Sequence, residues 1–211
     1  MKDSKAITYT KTDKIPAGNY VVILLMSIIF AVQFLGDPHQ EYLGGLILKN
    51  ATLNGFLGYS WLHTGLIHVA SNILLLAIFG RGTCVKIGDA KYILIYCFLG
   101  FAAAVAHLAL DGREVIGASG AIFGVLGLTV VLSWRKLSTM GPWLILVWVV
   151  ASVGAAIYGK GAEAHVAHVG GFIAGMFLGI GLVLFKQADN SDTDKLLVKF
   201  VNADSSPRRT P

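Results

Sequence analysis

Uncharged apolar runs, separated by short clusters of charge, make up most of this chain. The first, Tyr20 to Leu35, is broken only by Ser27 and Gln33 and stops at Gly36-Asp37-Pro38. No clear small-x-small cleavage site follows it, and more apolar runs do, so it reads as a retained span rather than a secretory signal. Residues 37–65 have a different texture: Gly44-Gly45, Gly55 and Gly58 interrupt short apolar pieces such as Leu46-Ile47-Leu48 and Phe56-Leu57. A mixed segment of this kind suits the membrane interface. Five further runs are bracketed by charge. They lie at about 66–80 (between Lys49 and Arg81), between Lys91 and Asp111, between Glu114 and Arg135, between Lys136 and Lys160 from near Pro142, and between Glu163 and Lys186. About 20 apolar residues cross about 30 Å of hydrocarbon. The pattern therefore predicts an all-α membrane protein, a six-transmembrane-helix bundle with an interfacial first loop. Its parts are a polar N-terminal segment (1–19), a membrane domain (20–187) and a polar C-terminal tail (188–211).

Composition agrees with this reading. The chain is 55% hydrophobic and 14% charged, against about 25% charged in soluble domains. Mean hydropathy is +0.68. The net charge of +5 becomes informative once the basic residues are sorted by side. With the N-terminus inside, the inner segments hold Lys2, Lys5, Lys11 and Lys14, then Arg81, Lys86 and Lys91, then Arg135 and Lys136, and finally Lys186, Lys195, Lys199, Arg208 and Arg209. Fourteen of the 17 basic residues thus fall inside, leaving Lys49, Arg113 and Lys160 outside. The positive-inside rule puts both termini in the cytoplasm. Topology accounts for the basic residues, so no nucleic-acid partner is expected. Two cysteines, Cys84 and Cys97, make no disulfide framework. Asn50-Ala51-Thr52 matches a glycosylation sequon, which matters only in a eukaryotic secretory pathway.

The fourth run opens with Gly117-Ala118-Ser119-Gly120-Ala121-Ile122-Phe123-Gly124. Gly117 permits a tight or left-handed turn, and Gly120 allows another chain close to the serine. A serine in the first turn of a helix also has unpaired N–H groups around it, which can receive a developing negative charge. Attack on a carbonyl needs that combination of hydroxyl and donors. The same string also fits a helix N-cap followed by helix-packing glycines.

Depth makes the case stronger. The second, fourth and sixth spans all run from outside to inside. Their outer ends carry His68 and Asn72 (i and i+4, one face), Ser119, and His168. Strongly polar groups within spans usually face the interior and mark function. Alone, each also fits a simple interhelical contact. Gly171, Gly175 and Gly179 follow His168 on one face, and Gly120, Gly124 and Gly127 follow Ser119. Small-residue faces let membrane helices approach closely. If the two stripes meet, Ser119 and His168 come within hydrogen-bond range as nucleophile and base. Ser119 to Ser133 is 15 residues, about 22 Å at ~1.5 Å per residue, short of the ~30 Å hydrocarbon. That places the serine roughly 8 Å below the outer surface, in a pocket opening outward.

With these pieces in place the chain resembles the rhomboid family of intramembrane serine proteases. The matching stretches are His68-Val69-Ala70-Ser71-Asn72, Gly117-Ala118-Ser119-Gly120, and Ala167-His168 with Gly171 and Gly175, in the family's order over residues 15–187. The resemblance implies a Ser119–His168 dyad without a third acid and Phe123 stacked beside His168. It implies an oxyanion hole of His68, Asn72 and the Ser119 N–H, and a structural role for His63 in the first loop. Two departures stand out. The Trp-Arg pair common in the family's first loop is absent, and Cys84 stands four residues after Gly80, where the family often has Glu. His107 and His165 have no role in the family pattern and read as interfacial or structural.

The expected function is endopeptidase cleavage of transmembrane segments of other membrane proteins near the outer face. The substrate helix would be weakened by Gly or Pro, the resemblance implies a small residue before the cut, and no metal or cofactor is needed. The expected setting is a multi-pass position in the lipid bilayer of a bacterial inner (plasma) membrane, with the site opening to the outer side. Two rivals remain at this point: a catalytically inactive relative that binds membrane clients, and a transporter or channel using the same polar cluster.

Overall fold

A computed structural model of the protein describes residues 15–36, 41–133 and 165–185. The fifth predicted span, the residues before Ile15 and the polar tail after Phe185 lie outside these described residues. Among the described residues all regular structure is helical, apart from an isolated antiparallel bridge between Leu48 and Val115. Four helices among the described residues are long and apolar enough to cross a membrane: Ala17–Leu35, Leu66–Ile87, Asp89–Leu110 and His165–Leu184. Ser119–Ser133 is apolar but only 15 residues long.

In chain order, α1 (Ala17–Leu35) follows Pro16 and ends at Gly36, whose N–H donates to Val32. The first loop holds α2 (Glu41–Gly44) and α3 (Leu53–Gly58). The Thr52 side chain caps α3 by accepting the Gly55 N–H. A 3-10 turn, Tyr59–Trp61, then leads to α4 (Leu66–Leu75). Here the structure differs from the sequence pattern. The second span does not stop at Gly80 but continues through a π-helical turn, Leu76–Gly80, into α5 (Arg81–Ile87). Gly80 is a packing glycine, not a terminator: a Cβ there would land on the Asn19 side-chain oxygen and the Tyr92 hydroxyl. Asn19 Nδ2 in turn donates to the Leu76 carbonyl at 3.1 Å, giving a buried backbone acceptor at the widened turn a partner. Gly88, at φ +87°, then reverses the chain into α6 (Asp89–Leu110).

α7 (Ser119–Ser133) is the centre of the molecule; every residue from Gly120 to Thr129 is buried. A helix apolar on all sides belongs in the interior. α6 packs on one side, where Leu99 and Ala103 fill the space left by Gly124 and Gly120. α8 (His165–Leu184) packs on the other. A Cβ on Gly171 or Gly175 would strike the carbonyl oxygen of Gly120 or Gly124, and one on Gly127 would strike that of Phe172. The two glycine stripes meet unequally: α8 offers bare Cα positions, whereas Gly120 and Gly124 offer α8 their backbone and turn their own Cβ positions toward α6. Farther along the helix, Lys86 donates to the Leu132 carbonyl of α7.

Candidate active site

Ser119 is the first residue of α7. The turn before it depends on Gly117, at φ +125°, a region that side chains disfavour. The Gly117 N–H donates to the Tyr59 carbonyl at 2.8 Å, tying this turn to the first loop. The space a Cβ on Gly117 would occupy is bordered by His68 (Cε1 2.8 Å, Nε2 2.9 Å) and by Ser119 Oγ (3.8 Å). The bare glycine thus lets an imidazole from α4 and a hydroxyl from α7 face one small volume. Gly120 does a related job one residue on. Ala103, the Tyr59 hydroxyl and Ala167 close around it at 2.8, 3.4 and 3.5 Å from its Cβ position.

His168 lies in the first turn of α8, held against α7 by the Gly171 and Gly175 contacts. Its Nε2 is 2.7 Å from Ser119 Oγ. Phe123, one turn after Ser119 on α7, stacks on the imidazole with centroids 4.2 Å apart and planes 1° apart. That stacking fixes the plane of the ring, so Nε2 is aimed at the hydroxyl. Both Ser119 and His168 are half-buried. His165 meets the His168 ring edge-on at 5.6 Å.

On the other side, Asn72 is 2% exposed, one turn along α4 from His68, and its Nδ2 has no hydrogen-bond partner. A buried amide N–H₂ without an acceptor is costly unless something else uses it. The N–H groups of Ser119, Gly120 and Ala121 at the start of α7 have no acceptor within the helix itself, whereas Ile122 donates to the Ala118 carbonyl. The arrangement offers a hydroxyl, a base that can take its proton, and donors for an oxygen that becomes negative. Among the described residues, no three His, Cys, Asp or Glu side chains form a metal-binding group.

Two supporting residues, Gln33 and Tyr59, were given no role in the sequence, and the structure adds partners for His63 and His107. Gln33, in the last turn of α1, clamps the His63 backbone: its Nε2 donates to the His63 carbonyl (2.6 Å) and its Oε1 accepts the His63 N–H (3.0 Å). His63 is 1% exposed, pairs through Nδ1 with the Trp61 carbonyl at 3.2 Å, and meets His68 edge-on at 5.0 Å. Burial, reinforced by repulsion from His68, lowers the His63 pKa to about 4. Tyr59 donates to the Gly100 carbonyl at 2.7 Å. Together with the Leu48–Val115 bridge, these contacts dock the first loop without a Trp-Arg pair. His107 is fully buried, and its Nε2 pairs with the Arg113 carbonyl at 2.8 Å, shaping the turn ahead of Ser119. The signal for Gln33 was present: it is one of two polar residues in an otherwise apolar span.

A rhomboid domain is matched over residues 50–185. Rhomboid protease GluP of Bacillus subtilis is 36% identical over 186 residues, covering 81% of this chain and 36% of the relative. RHOMBOID-like protein 7 of Arabidopsis thaliana is 29% identical over 68% of this chain and 47% of the relative. Rhomboid-type serine protease 2 of Emericella nidulans is 31% identical over 57% and 25%. The chain spans less than half the length of each of these three relatives. The chain belongs to the rhomboid family and is an integral membrane protein.

Proposed function

We propose that this member of the rhomboid family is a serine endopeptidase that cuts transmembrane segments of other membrane proteins inside the bilayer. Ser119 Oγ attacks the peptide carbonyl as His168 Nε2 takes its proton. Asn72 Nδ2, the His68 ring and the Ser119 N–H donate to the oxyanion. His168 passes the proton to the leaving amine, and water admitted from the outer side hydrolyses the acyl-enzyme. What supports this reading above all is the 2.7 Å approach of Ser119 Oγ to His168 Nε2, with the imidazole held flat on Phe123. A polar pair that only joined two helices would need neither the stacked ring nor the open volume over Gly117.

The same proposal includes six spans over residues 20–187, both termini in the cytoplasm, and a site opening to the outer face of a bacterial plasma membrane. The charge distribution supports this topology. The Bacillus relative, named a rhomboid protease, supports both the chemistry and the setting. The test is labelling with a fluorophosphonate alongside cleavage of a single-span substrate. The wild type should label at Ser119 and cleave, and Ser119→Ala should do neither. Cleavage that survives Ser119→Ala rules the mechanism out, and a folded wild type that neither labels nor cleaves points to a client-binding role.

A further inference from the structure

We propose that Thr64 is a positioning residue that sets the tautomer of His68, keeping the ring proton on Nε2, where it faces the open volume beside Ser119. This rests on the reading of His68 as an oxyanion donor. The Thr64 backbone N–H is 3.4 Å from His68 Nδ1, and its hydroxyl is 3.0 Å from the same atom. A backbone N–H can only donate, so Nδ1 accepts at this end; at 3.4 Å that bond is long and weak, and the hydroxyl at 3.0 Å is the stronger hold on the same lone pair. A neutral imidazole has a single N–H; with Nδ1 accepting, that proton sits on Nε2. At the far end of the ring, Nε2 and Ser119 Oγ border the same space over Gly117, at 2.9 and 3.8 Å from the Cβ position. The Nε2–H tautomer presents a donor to a developing oxyanion there. The Nδ1–H tautomer would present a lone pair and repel it.

Thr64 can do this because of where α4 begins. Gly65 precedes the helix and His68 is its third residue, so the His68 side chain folds back over the first turn, as the third side chain of a capping box does. That geometry also defines the purely structural alternative, in which Thr64 and His68 only cap α4. A cap predicts lost stability with no change in the ring proton. The contact is solvent-exposed, so water competes for Nδ1 and the effect on turnover is modest.

The experiment uses the full chain in detergent with ¹⁵N-labelled histidine, His68 being assigned by the signal lost in His68→Ala. The tautomer is read without substrate, and kcat and KM are measured on a single-span substrate. Wild type should show Nε2–H at His68. Thr64→Val keeps the shape but loses the hydroxyl; it should show mixed tautomers and about fivefold lower kcat at unchanged KM. Thr64→Ser restores the hydroxyl and should return the wild-type tautomer and most of the turnover. A wild-type ring protonated on Nδ1 overturns the proposal. So does a Thr64→Val protein whose tautomer is unmoved, whether or not it is less stable, or one whose tautomer shifts while kcat stays the same. Because the tautomer is read without substrate, Nε2–H at His68 in a chain whose Ser119 never labels refutes the protease reading instead, and leaves Thr64's hold on the ring standing.

Discussion

The two sides of the site are held by different physics. The Ser119–His168 side is set by backbone against backbone: Gly171 and Gly175 of α8 rest on the Gly120 and Gly124 carbonyls of α7, with the Phe123 ring as a stop. The His68 side is set by side chains acting through a loop: Gln33 clamps His63, His63 abuts His68, and Thr64 holds Nδ1. A glycine seam has no rotamers to lose and tolerates no added atom. A chain of polar contacts is adjustable and can lose one member without collapse. Lesions in the seam should therefore be all-or-none, and lesions in the loop graded.

The largest effect expected is from His168→Ala. With the proposed base gone, turnover should fall by on the order of 10⁴ or more, by analogy with other serine–histidine enzymes. Thermal stability in detergent should change little, since α8 is held by its glycines. A His168→Ala protein with most of its activity would place the base elsewhere and dissolve the contrast between the two sides.

Gly171→Leu tests the seam itself. The new side chain has nowhere to go but into the Gly120 carbonyl, so α7 and α8 must separate. Activity and melting temperature should fall together, by about 1–3 kcal/mol or more for the overpacking alone. Normal stability and turnover in this variant would mean that the seam is not closely packed in the membrane.

Much of this was legible in the sequence, for identifiable reasons. Charges bracket the described spans, so their approximate positions follow from the charge pattern along the chain. Ser119, His68, Asn72 and His168 stand out because polar groups are costly in lipid. What the sequence misplaced was the end of the second span, and what it left incomplete were positions where one residue type serves two purposes. Gly80 resembles a helix end, yet it makes room for Asn19 and Tyr92, and the span runs on to Ile87. Gly120 and Gly124 share a stripe with Ser119, but a one-dimensional pattern cannot say that it is their carbonyls that face α8. Cys84 stands where the family often has Glu, and the structure brings a carboxylate to it from another helix: Asp89 Oδ1 accepts from the Cys84 thiol at 3.2 Å and from the Gly18 N–H at 2.8 Å. Asp89 lies only five residues after Cys84, but the reversal at Gly88 that folds its carboxylate back onto the thiol does not show in a one-dimensional pattern.

On the adjustable side, Asn72→Ala should cost more than any change in the loop. Its Nδ2 has no other hydrogen-bond partner, so removing that donor breaks no internal hydrogen bond. An oxyanion donor is worth on the order of 10²–10³ in kcat, with KM little changed. Slow labelling of Ser119 by a fluorophosphonate should persist. If KM alone rises, Asn72 contacts the substrate before the reaction rather than during it.

The smallest effect, and the finest test of the comparison, is at Gln33, on a helix that contributes nothing directly to the proposed chemistry. Gln33→Ala leaves the His63 N–H and carbonyl without their partners, at about 1–3 kcal/mol for each group that stays buried. The loop can relieve that cost by loosening toward water, so the loss should appear as a lower melting temperature and a several-fold drop in kcat rather than inactivation. Gln33→Glu separates the two bonds: its carboxylate can still accept the His63 N–H but cannot donate to the carbonyl, and it should fall between wild type and Ala. pH supplies an independent handle on the same contact. The His63 pKa is about 4 in the folded protein against the usual 6.5, so the neutral ring favours the docked loop. That contribution is complete above about pH 6.5 and is lost as pH falls toward 4. Acid and Gln33→Ala both work to release the loop, so the variant should lose proportionally more activity at pH 5 than at pH 8, whereas Gly171→Leu should show no such dependence. Equal pH profiles for Gln33→Ala and wild type would mean that the clamp and the His63 ring act separately, and that the loop does not transmit to His68 as a unit.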